Sequence, residues 1–178
     1  MRLFVGLDLP PPINDHLSLV CGGIPRARWQ TAEQRHLTLR FIGEVDGGTM
    51  RTIVDALGTV KHPAFTMSLA GVGHFPPRGE PRSVWAGIEP PEPVHELAAK
   101  LEQTMRAIGL DPDSRKFAPH VTLARLRGAP KQKVIEFLQN QALLRTQSFE
   151  VDSFALYSSV LNPRGSKYCI EETFPLGD

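Results

Sequence analysis

The order of apolar and polar positions along this chain follows two periods, one typical of strands and one typical of helices. Alternating or short continuous apolar segments predict strands at residues 2–8, 35–42, 65–72, 84–88, 120–126, 149–158 and 167–174. Apolar residues three or four positions apart predict helices at residues 13–20, 49–60, 94–108 and 131–139. Residues 26–35 and 74–82 are predicted to be loops, and the second of these segments is dense in Gly and Pro.

The pattern His-x-Thr-x, with an apolar residue at each x, occurs twice, and both copies fall in predicted strands. They begin at His36 and His120, about half a chain length apart. Successive side chains of a strand point to opposite faces, so each His shares an open face with its own Thr, Thr38 or Thr122. One copy could arise by chance, but two are much less common. Two imidazoles without an obvious carboxylate or metal cluster suit acid–base chemistry on a phosphate ester.

The order of predicted elements also repeats, as helix, motif strand, helix and strand pair, which indicates an internal duplication. Neighbouring strands in the chain favour antiparallel pairing and therefore the α+β class. No linker is long or polar enough to separate independent domains. We expect a single domain over residues 1–178, a two-lobed pseudo-duplicated fold whose antiparallel sheets line a central cleft, with the helices outside.

Composition and charge exclude several classes of protein. The 178 residues are 41% hydrophobic and 22% charged, which is typical of a globular chain. A net charge of +1 gives no broad basic surface for duplex DNA, so any nucleic acid is expected to be held locally. Cys21 and Cys169 are too few for a disulfide framework and indicate reduced thiols in the cytoplasm. The apolar segment 3–9 is too short for a signal peptide or a membrane span.

Several segments together resemble one enzyme family. They are Arg-Leu-Phe-Val-Gly-Leu-Asp-Leu-Pro at 2–10, His-Leu-Thr-Leu-Arg-Phe-Ile-Gly-Glu-Val at 36–45, Pro-His-Val-Thr-Leu-Ala-Arg-Leu at 119–126, Leu-Tyr-Ser-Ser at 156–159 and Gly-Ser-Lys-Tyr at 165–168. The chain is similar over nearly its whole length to the RNA 2′,3′-cyclic phosphodiesterases, also called 2′-5′ RNA ligases, of the two-histidine phosphoesterase superfamily. The resemblance implies a two-lobed α+β fold and hydrolysis of an RNA 2′,3′-cyclic phosphate to a 2′-phosphate end, without metal or nucleotide cofactor.

The resemblance also implies roles for the motif residues. His36 would give a proton to the departing ribose oxygen and His120 would activate water, although the residues alone do not fix this direction. Thr38 and Thr122 would donate hydrogen bonds to the phosphate oxygens. Arg125 matches a family position that contacts the phosphate. Strict alternation would turn Arg125 to the wrong face of its strand, so it has to lie beyond a bulge or past the strand end.

Aromatic residues could stack on a nucleobase. The candidates are Phe4, Trp29, Phe75 and Trp85. Phe4 is favoured because alternation in strand 2–8 turns it toward the cleft, and core packing is the alternative role for each of the four. The other histidines have neither the spacing of metal ligands nor a neighbouring set of carboxylates, so we predict no metal site and no cofactor.

Other functions remain open at the level of sequence. A relative of the same superfamily could cleave 2′-5′ linkages or small cyclic nucleotides, or join RNA ends as a ligase. A non-catalytic module that binds RNA ends would carry the same motifs without turnover. We expect RNA ends with a 2′,3′-cyclic phosphate as partners, with tRNA fragments as one candidate, and a monomer in the cytoplasm with no membrane attachment.

Overall fold

Nine strands and four helices make up the part of the chain that the computed structural model describes, residues 1–177. The strands are β1 (Arg2–Leu7), β2 (Ala27–Trp29), β3 (Leu37–Glu44), β4 (Phe65–Phe75), β5 (Ser83–Glu89), β6 (Val121–Leu126), β7 (Phe149–Val151), β8 (Ser153–Asn162) and β9 (Gly165–Pro175). The helices are α1 (Pro11–Val20), α2 (Gly47–Leu57), α3 (Glu92–Ala107) and α4 (Lys131–Asn140). The predicted single domain over 1–178 stays a prediction, and Asp178 lies outside the described residues.

The strands form one antiparallel sheet in the spatial order β7-β4-β5-β6-β3-β1-β8-β9, and β2 pairs with β6. The chain traces one succession twice, first as β1-α1-β3-α2-β4 and then as β5-α3-β6-α4-β8. The third strand of each repeat crosses into the other half of the sheet, so β4 pairs with β5 and β8 pairs with β1. This exchange brings the two motif strands, β3 and β6, together at the middle of the sheet.

The main core lies between the helices and one face of the sheet. Each helix contributes at least two buried apolar side chains to the fold, namely Ile13 and Leu17, Ile53 and Leu57, Val94, Leu97, Leu101 and Met105, and Val134 and Phe137. The apolar residues of both motifs enter this core, as predicted: Leu37, Leu39, Val121 and Leu123. The opposite face of β3 and β6 lines a cleft. The predicted α+β fold, with antiparallel strands along a central cleft and helices outside, is confirmed.

Three of the boundaries that differ from the prediction are explained by the pairing of strands. Strand β2 lies inside the predicted loop 26–35, where it pairs with β6. Strand β4 continues to Phe75, into the predicted loop 74–82, and pairs with β5. The predicted strand 149–158 is divided at Asp152, because β7 pairs with β4 whereas β8 pairs with β1.

The motif strands also begin later than predicted. Strand β3 starts at Leu37 and β6 starts at Val121, so His36 and His120 each lie one residue before a strand. Each histidine therefore lies just before the N-terminal end of its strand, outside the hydrogen-bonded ladder.

A close approach between β1 and β3 depends on Gly6. A Cβ at this position would lie 2.8 Å from the Leu37 carbonyl oxygen, a distance that real Cβ contacts do not reach. The neighbouring backbone would have to move, because a carbonyl oxygen cannot rotate away as a side chain can. Leu37 lies between His36 and Thr38. The close approach at Gly6 therefore affects the position of the backbone that carries both side chains.

We therefore expect Gly6→Ala to lower the free energy of unfolding by about 1–3 kcal/mol, the usual cost of overpacking, and to lower kcat/KM by moving the first motif. Urea unfolding measures the stability. Gly47→Ala is the matched control, because no atom lies within 4 Å of a Cβ there. Equal stability and activity of the two variants would contradict the close-approach argument.

Candidate active site

The two His-x-Thr-x motifs meet at one backbone pairing. Strands β3 and β6 pair antiparallel at Leu37 and Val121, the residues that follow the two histidines. The antiparallel register places His36 on the Thr122 side of this pair and His120 on the Thr38 side. Both histidines and both threonines line the same cleft, which has a volume of about 760 Å³.

Backbone carbonyls fix the tautomer of both imidazoles in the same way. His36 Nδ1 lies 2.8 Å from the Gln34 carbonyl oxygen, and His120 Nδ1 lies 2.6 Å from the Ala118 carbonyl oxygen. A carbonyl oxygen can only accept, so Nδ1 donates in both cases. Each neutral ring then carries its lone pair on Nε2. His36 Nε2 accepts a hydrogen bond from the Thr38 hydroxyl at 2.9 Å.

The electrostatics of the cleft hold both imidazoles neutral before a ligand binds. The pKa of His36 is lowered to about 4, chiefly by burial and to a smaller extent by the positive charges of Arg125 and His120, while the hydrogen bond to the Gln34 carbonyl opposes the shift. Burial and the charge of Arg125 also lower the pKa of His120, against the Ala118 hydrogen bond. An anion beside Arg125 would offset its charge and raise the pKa of both rings.

A β-bulge turns Arg125 toward the cleft. Thr122 pairs with Trp85 and Ala124 pairs with Val84, so β6 has one residue more than β5 between these positions. Leu123 and Ala124 are consequently both buried, whereas Arg125 is exposed and lines the cleft with Thr122. The sequence required a bulge or a strand end before Arg125, and the structure has the bulge.

Comparisons with known proteins agree with this geometry. The family model described as the 2′-5′ RNA ligase superfamily matches residues 25–162. The chain belongs to the 2′-5′ RNA ligase superfamily. The predicted family is thereby confirmed, and with it the prediction that the chain is an enzyme of this family.

Individual relatives cover most or all of the chain. The RNA 2′,3′-cyclic phosphodiesterase of Aeropyrum pernix is 33% identical over 138 residues, which is 76% of this chain and 78% of that protein. The protein of the same name from Methanothermobacter thermautotrophicus is 31% identical over 183 residues, 99% of each chain. The crystal structure of E. coli LigT complexed with 3′-AMP superposes with a TM-score of 0.80 at 26% identity, covering 99% of this chain and 98% of that one.

In the present chain, aromatic rings pack around the imidazoles of both His36 and His120. The His36 ring centroid lies 4.6 Å from that of Phe4 and 5.0 Å from that of Tyr168. The His120 ring centroid lies 4.9 Å from that of Phe75, which meets it edge-on. These rings restrict water around the imidazoles and so account for the burial that lowers both pKa values.

The predicted aromatic candidates for base stacking differ in position. Phe4 lines the cleft, but it is only 4% exposed and its ring stacks on Tyr157 with a centroid distance of 4.8 Å. This packing favours a role for Phe4 in holding His36. Phe75 also lines the cleft, and the Trp85 ring packs against the Phe75 ring at a centroid distance of 5.3 Å. Trp29 packs against Phe137.

The cleft also gathers charged residues that the sequence did not single out. Besides Arg125, the basic side chains that line it are Arg2, Arg28, Arg115 and Lys116, with Asp113 as the acidic one. They come from β1, β2 and the connection between α3 and β6, so only the folded topology brings them together. Among residues 1–177, no group of three or more His, Cys, Asp or Glu side chains is arranged to hold a metal ion. No helix in this range has the length and apolar character to cross a membrane.

The depressed pKa of His36 predicts a pH dependence of stability. Between pH 6.5 and about 4 the unfolded chain binds a proton that the folded chain excludes, so this contribution is present above pH 6.5 and is lost as the pH falls toward 4. The full difference amounts to about 3 kcal/mol. His36→Gln should flatten the dependence of the free energy of unfolding on pH across this window, measured by urea unfolding in phosphate-free buffer. Parallel curves for wild type and variant would contradict the assignment.

Proposed function

We propose that this enzyme hydrolyses the 2′,3′-cyclic phosphate at an RNA end to a 2′-phosphomonoester, with His36 and His120 as the general acid and base. The observation that carries this proposal is the meeting of the two motifs at Leu37 and Val121, with both imidazoles in one cleft. The relatives named RNA 2′,3′-cyclic phosphodiesterase supply the substrate class. The E. coli LigT complex shows a nucleotide with a ribose phosphate on the same fold.

The two imidazoles supply the proton transfers that the reaction needs. His120 Nε2 takes a proton from water while the water oxygen bonds to phosphorus. The bond from phosphorus to the ribose O3′ breaks, and His36 Nε2 gives its proton to O3′, which leaves a free 3′-hydroxyl and a 2′-phosphate. A ring whose Nδ1 donates to a carbonyl keeps Nε2 as the atom that exchanges the proton.

The phosphate itself prepares His36 for this role. Without a ligand the imidazole is neutral near pH 7, because its pKa lies near 4. A phosphate anion bound beside Arg125 offsets the positive charge and favours the imidazolium, so the acid forms with its substrate. Thr38 and Thr122 donate to the non-bridging oxygens. A protonated Nε2 cannot accept a hydrogen bond, so the Thr38 hydroxyl no longer donates to His36 once the ring is protonated. The hydroxyl can then donate to the phosphate.

The decisive experiment uses an RNA oligonucleotide that ends in a 2′,3′-cyclic phosphate, incubated with purified protein in excess EDTA. We expect the gain of one water and an end that co-migrates with a synthetic 2′-phosphate standard. A 3′-phosphate end would contradict this scheme, because the leaving oxygen would then be the ribose O2′ and not O3′. Activity that disappears in EDTA and returns with a divalent ion would contradict a mechanism based on the two histidines alone.

Ligation is the second candidate, because the matching family is described by that activity. A 5′-hydroxyl of a second RNA in the position of water would give a 2′-5′ linkage through the same groups. Adding an RNA with a 5′-hydroxyl tests this, and a joined product resistant to a 3′-5′-specific nuclease supports it. Hydrolysis assays with 2′-5′-linked dinucleotides and with small cyclic nucleotides test the two alternative phosphodiesterase activities. A binding module would retain the RNA without any turnover.

We further propose that the enzyme works as a monomer in the cytoplasm on RNA fragments, tRNA fragments among them. Both motifs belong to one chain and meet at Leu37 and Val121, which suits a monomer. Cys21 and Cys169 are free, which suits a reducing compartment. Light scattering of the purified protein tests the monomer.

Replacing either histidine should remove most of the activity. We expect His36→Ala and His120→Ala each to lower kcat by about 10²–10⁴-fold, the usual contribution of one general acid or base. The double variant should lose much less than the product of the two factors, because the pair acts as a unit. Single-turnover hydrolysis of the cyclic end measures these rates. An active double variant would exclude the mechanism.

Arg125 should act on both the phosphate and the imidazoles. We expect Arg125→Ala to lower kcat/KM by about 10²–10³-fold, and Arg125→Lys to remain impaired because an ammonium does not reproduce the planar fork of donors. In ligand-free Arg125→Ala, the pKa of His36 measured by NMR should rise, since a positive charge that lowers it is gone. Arg127→Ala is the control, being an exposed arginine just past the end of β6. Wild-type kinetics and an unchanged His36 titration in Arg125→Ala would refute both roles.

A further inference from the structure

Two arginines face each other across neighbouring strands inside the cleft. Arg28 of β2 pairs directly with Arg125 of β6 in the antiparallel register. Both side chains are exposed and both line the cleft. Arg28 also approaches the β8–β9 hairpin, where one of its guanidinium nitrogens lies 3.9 Å from the position of a Cβ on Gly165.

Like charges directly opposite each other destabilise an antiparallel pair. In the described part of the chain, neither Arg28 nor Arg125 forms an ion pair with a carboxylate that would offset this repulsion. The fold therefore keeps two arginines without an acidic partner at directly opposed positions of β2 and β6. An arrangement of this kind is best satisfied by an anion between or beside them.

The basic residues at another part of the cleft are placed differently. The Arg2 guanidinium lies 5.2 Å from the Phe41 ring centroid, and that of Arg115 lies 5.4 Å from it. These two guanidinium groups thus pack against an aromatic ring, and the Asp113 carboxylate accepts a hydrogen bond from the Arg115 backbone nitrogen. In the described residues, Arg28 and Lys116 have neither kind of neighbour. Of these two, Arg28 lies directly opposite Arg125 and carries the planar fork of donors that suits a phosphate, so it is the better candidate to bind a further phosphate.

We propose that Arg28, beside Arg125, binds the phosphodiester that joins the terminal nucleotide to the rest of the RNA strand. The inference rests on the proposed function, because it places the reacting cyclic phosphate at the two motifs. Thr122, Arg125 and Arg28 follow one another outward from that position, first along β6 and then across to β2. The next phosphate of the strand is one ribose away from the first. Arg28 then selects RNA ends over free cyclic nucleotides.

The test compares two substrates that differ in this phosphodiester and in the nucleoside attached to it. The first is a nucleoside 2′,3′-cyclic monophosphate with a free 5′-hydroxyl, and the second is a dinucleotide that ends in the same cyclic phosphate. The variants are Arg28→Gln and Arg28→Lys. Arg127→Gln is the matched control, an exposed arginine outside the residues that line the cleft.

We expect Arg28→Gln to lower kcat/KM for the dinucleotide by about 10–100-fold, the usual effect of one charge-assisted hydrogen bond. The loss should be in KM, because the contact exists before and after the chemical step. The loss for the mononucleotide should be much smaller, so the preference for the dinucleotide collapses. Arg28→Lys should restore part of it. Equal losses for both substrates, or no loss for either, would overturn the proposal.

Binding of a non-reacting RNA separates this proposal from the proposed function. The probe is a dinucleotide ending in a 2′-phosphate, titrated into wild type and Arg28→Gln at several salt concentrations. Loss of one phosphate contact should reduce the slope of log Kd against log salt by about 0.7. If wild type binds this probe in an Arg28-dependent way but does not hydrolyse the cyclic end, the proposed function fails and the phosphate site stands. If it hydrolyses the cyclic end and the slopes are equal, the phosphate site fails.

Discussion

The backbone pairing of Leu37 with Val121 is the constraint on which the site depends. It joins the two halves of the sheet, and it fixes the two His-x-Thr-x motifs in an antiparallel relation within one cleft. Few contacts hold β3 and β6 together, so the pairing relies on its surroundings. Gly6 allows β1 to approach the Leu37 carbonyl, and the buried side chains of Leu37 and Val121 anchor the pair in the core. Strands β1 and β5 pair with the outer edges of β3 and β6, and the exchanged strands β8 and β4 pair in turn with β1 and β5.

In the proposed reaction, the empty cleft and the bound phosphate act on the imidazoles in opposite directions. Aromatic rings and Arg125 disfavour the imidazolium in the empty cleft, which costs stability at low pH. The charge of Arg125 favours a phosphate anion, and the negative charge of that anion raises the proton affinity of the rings. In a site of this kind, the imidazole becomes a protonated general acid only when the substrate is bound. The carbonyls of Gln34 and Ala118 contribute by keeping Nε2 of each ring directed to the cleft.

Local patterns were sufficient to predict the α+β class, the helices and the two motifs, because alternation and helical spacing are properties of short segments. They were insufficient wherever a residue's position depends on a distant strand. The bulge at Leu123 and Ala124 exists because β6 must pair with β5, and only this bulge returns Arg125 to the cleft face. Strand β2 lacks a clear apolar alternation and forms because β6 leaves an edge for it. Arg28 was missed for the same reason, since its significance comes from the residue opposite to it.

The low net charge of the chain has a structural counterpart in the distribution of its basic residues. A net charge of +1 leaves little general attraction for a polyanion, yet five basic side chains and one acidic side chain line the cleft. Attraction is therefore concentrated where the motifs meet, and it decays over about 10 Å at ordinary ionic strength. An RNA duplex offers phosphates along its whole length and gains little from so local a patch. In the function that we propose, a strand end enters the cleft with its last two phosphates, so the concentrated charge serves recognition of an end more than recognition of a surface.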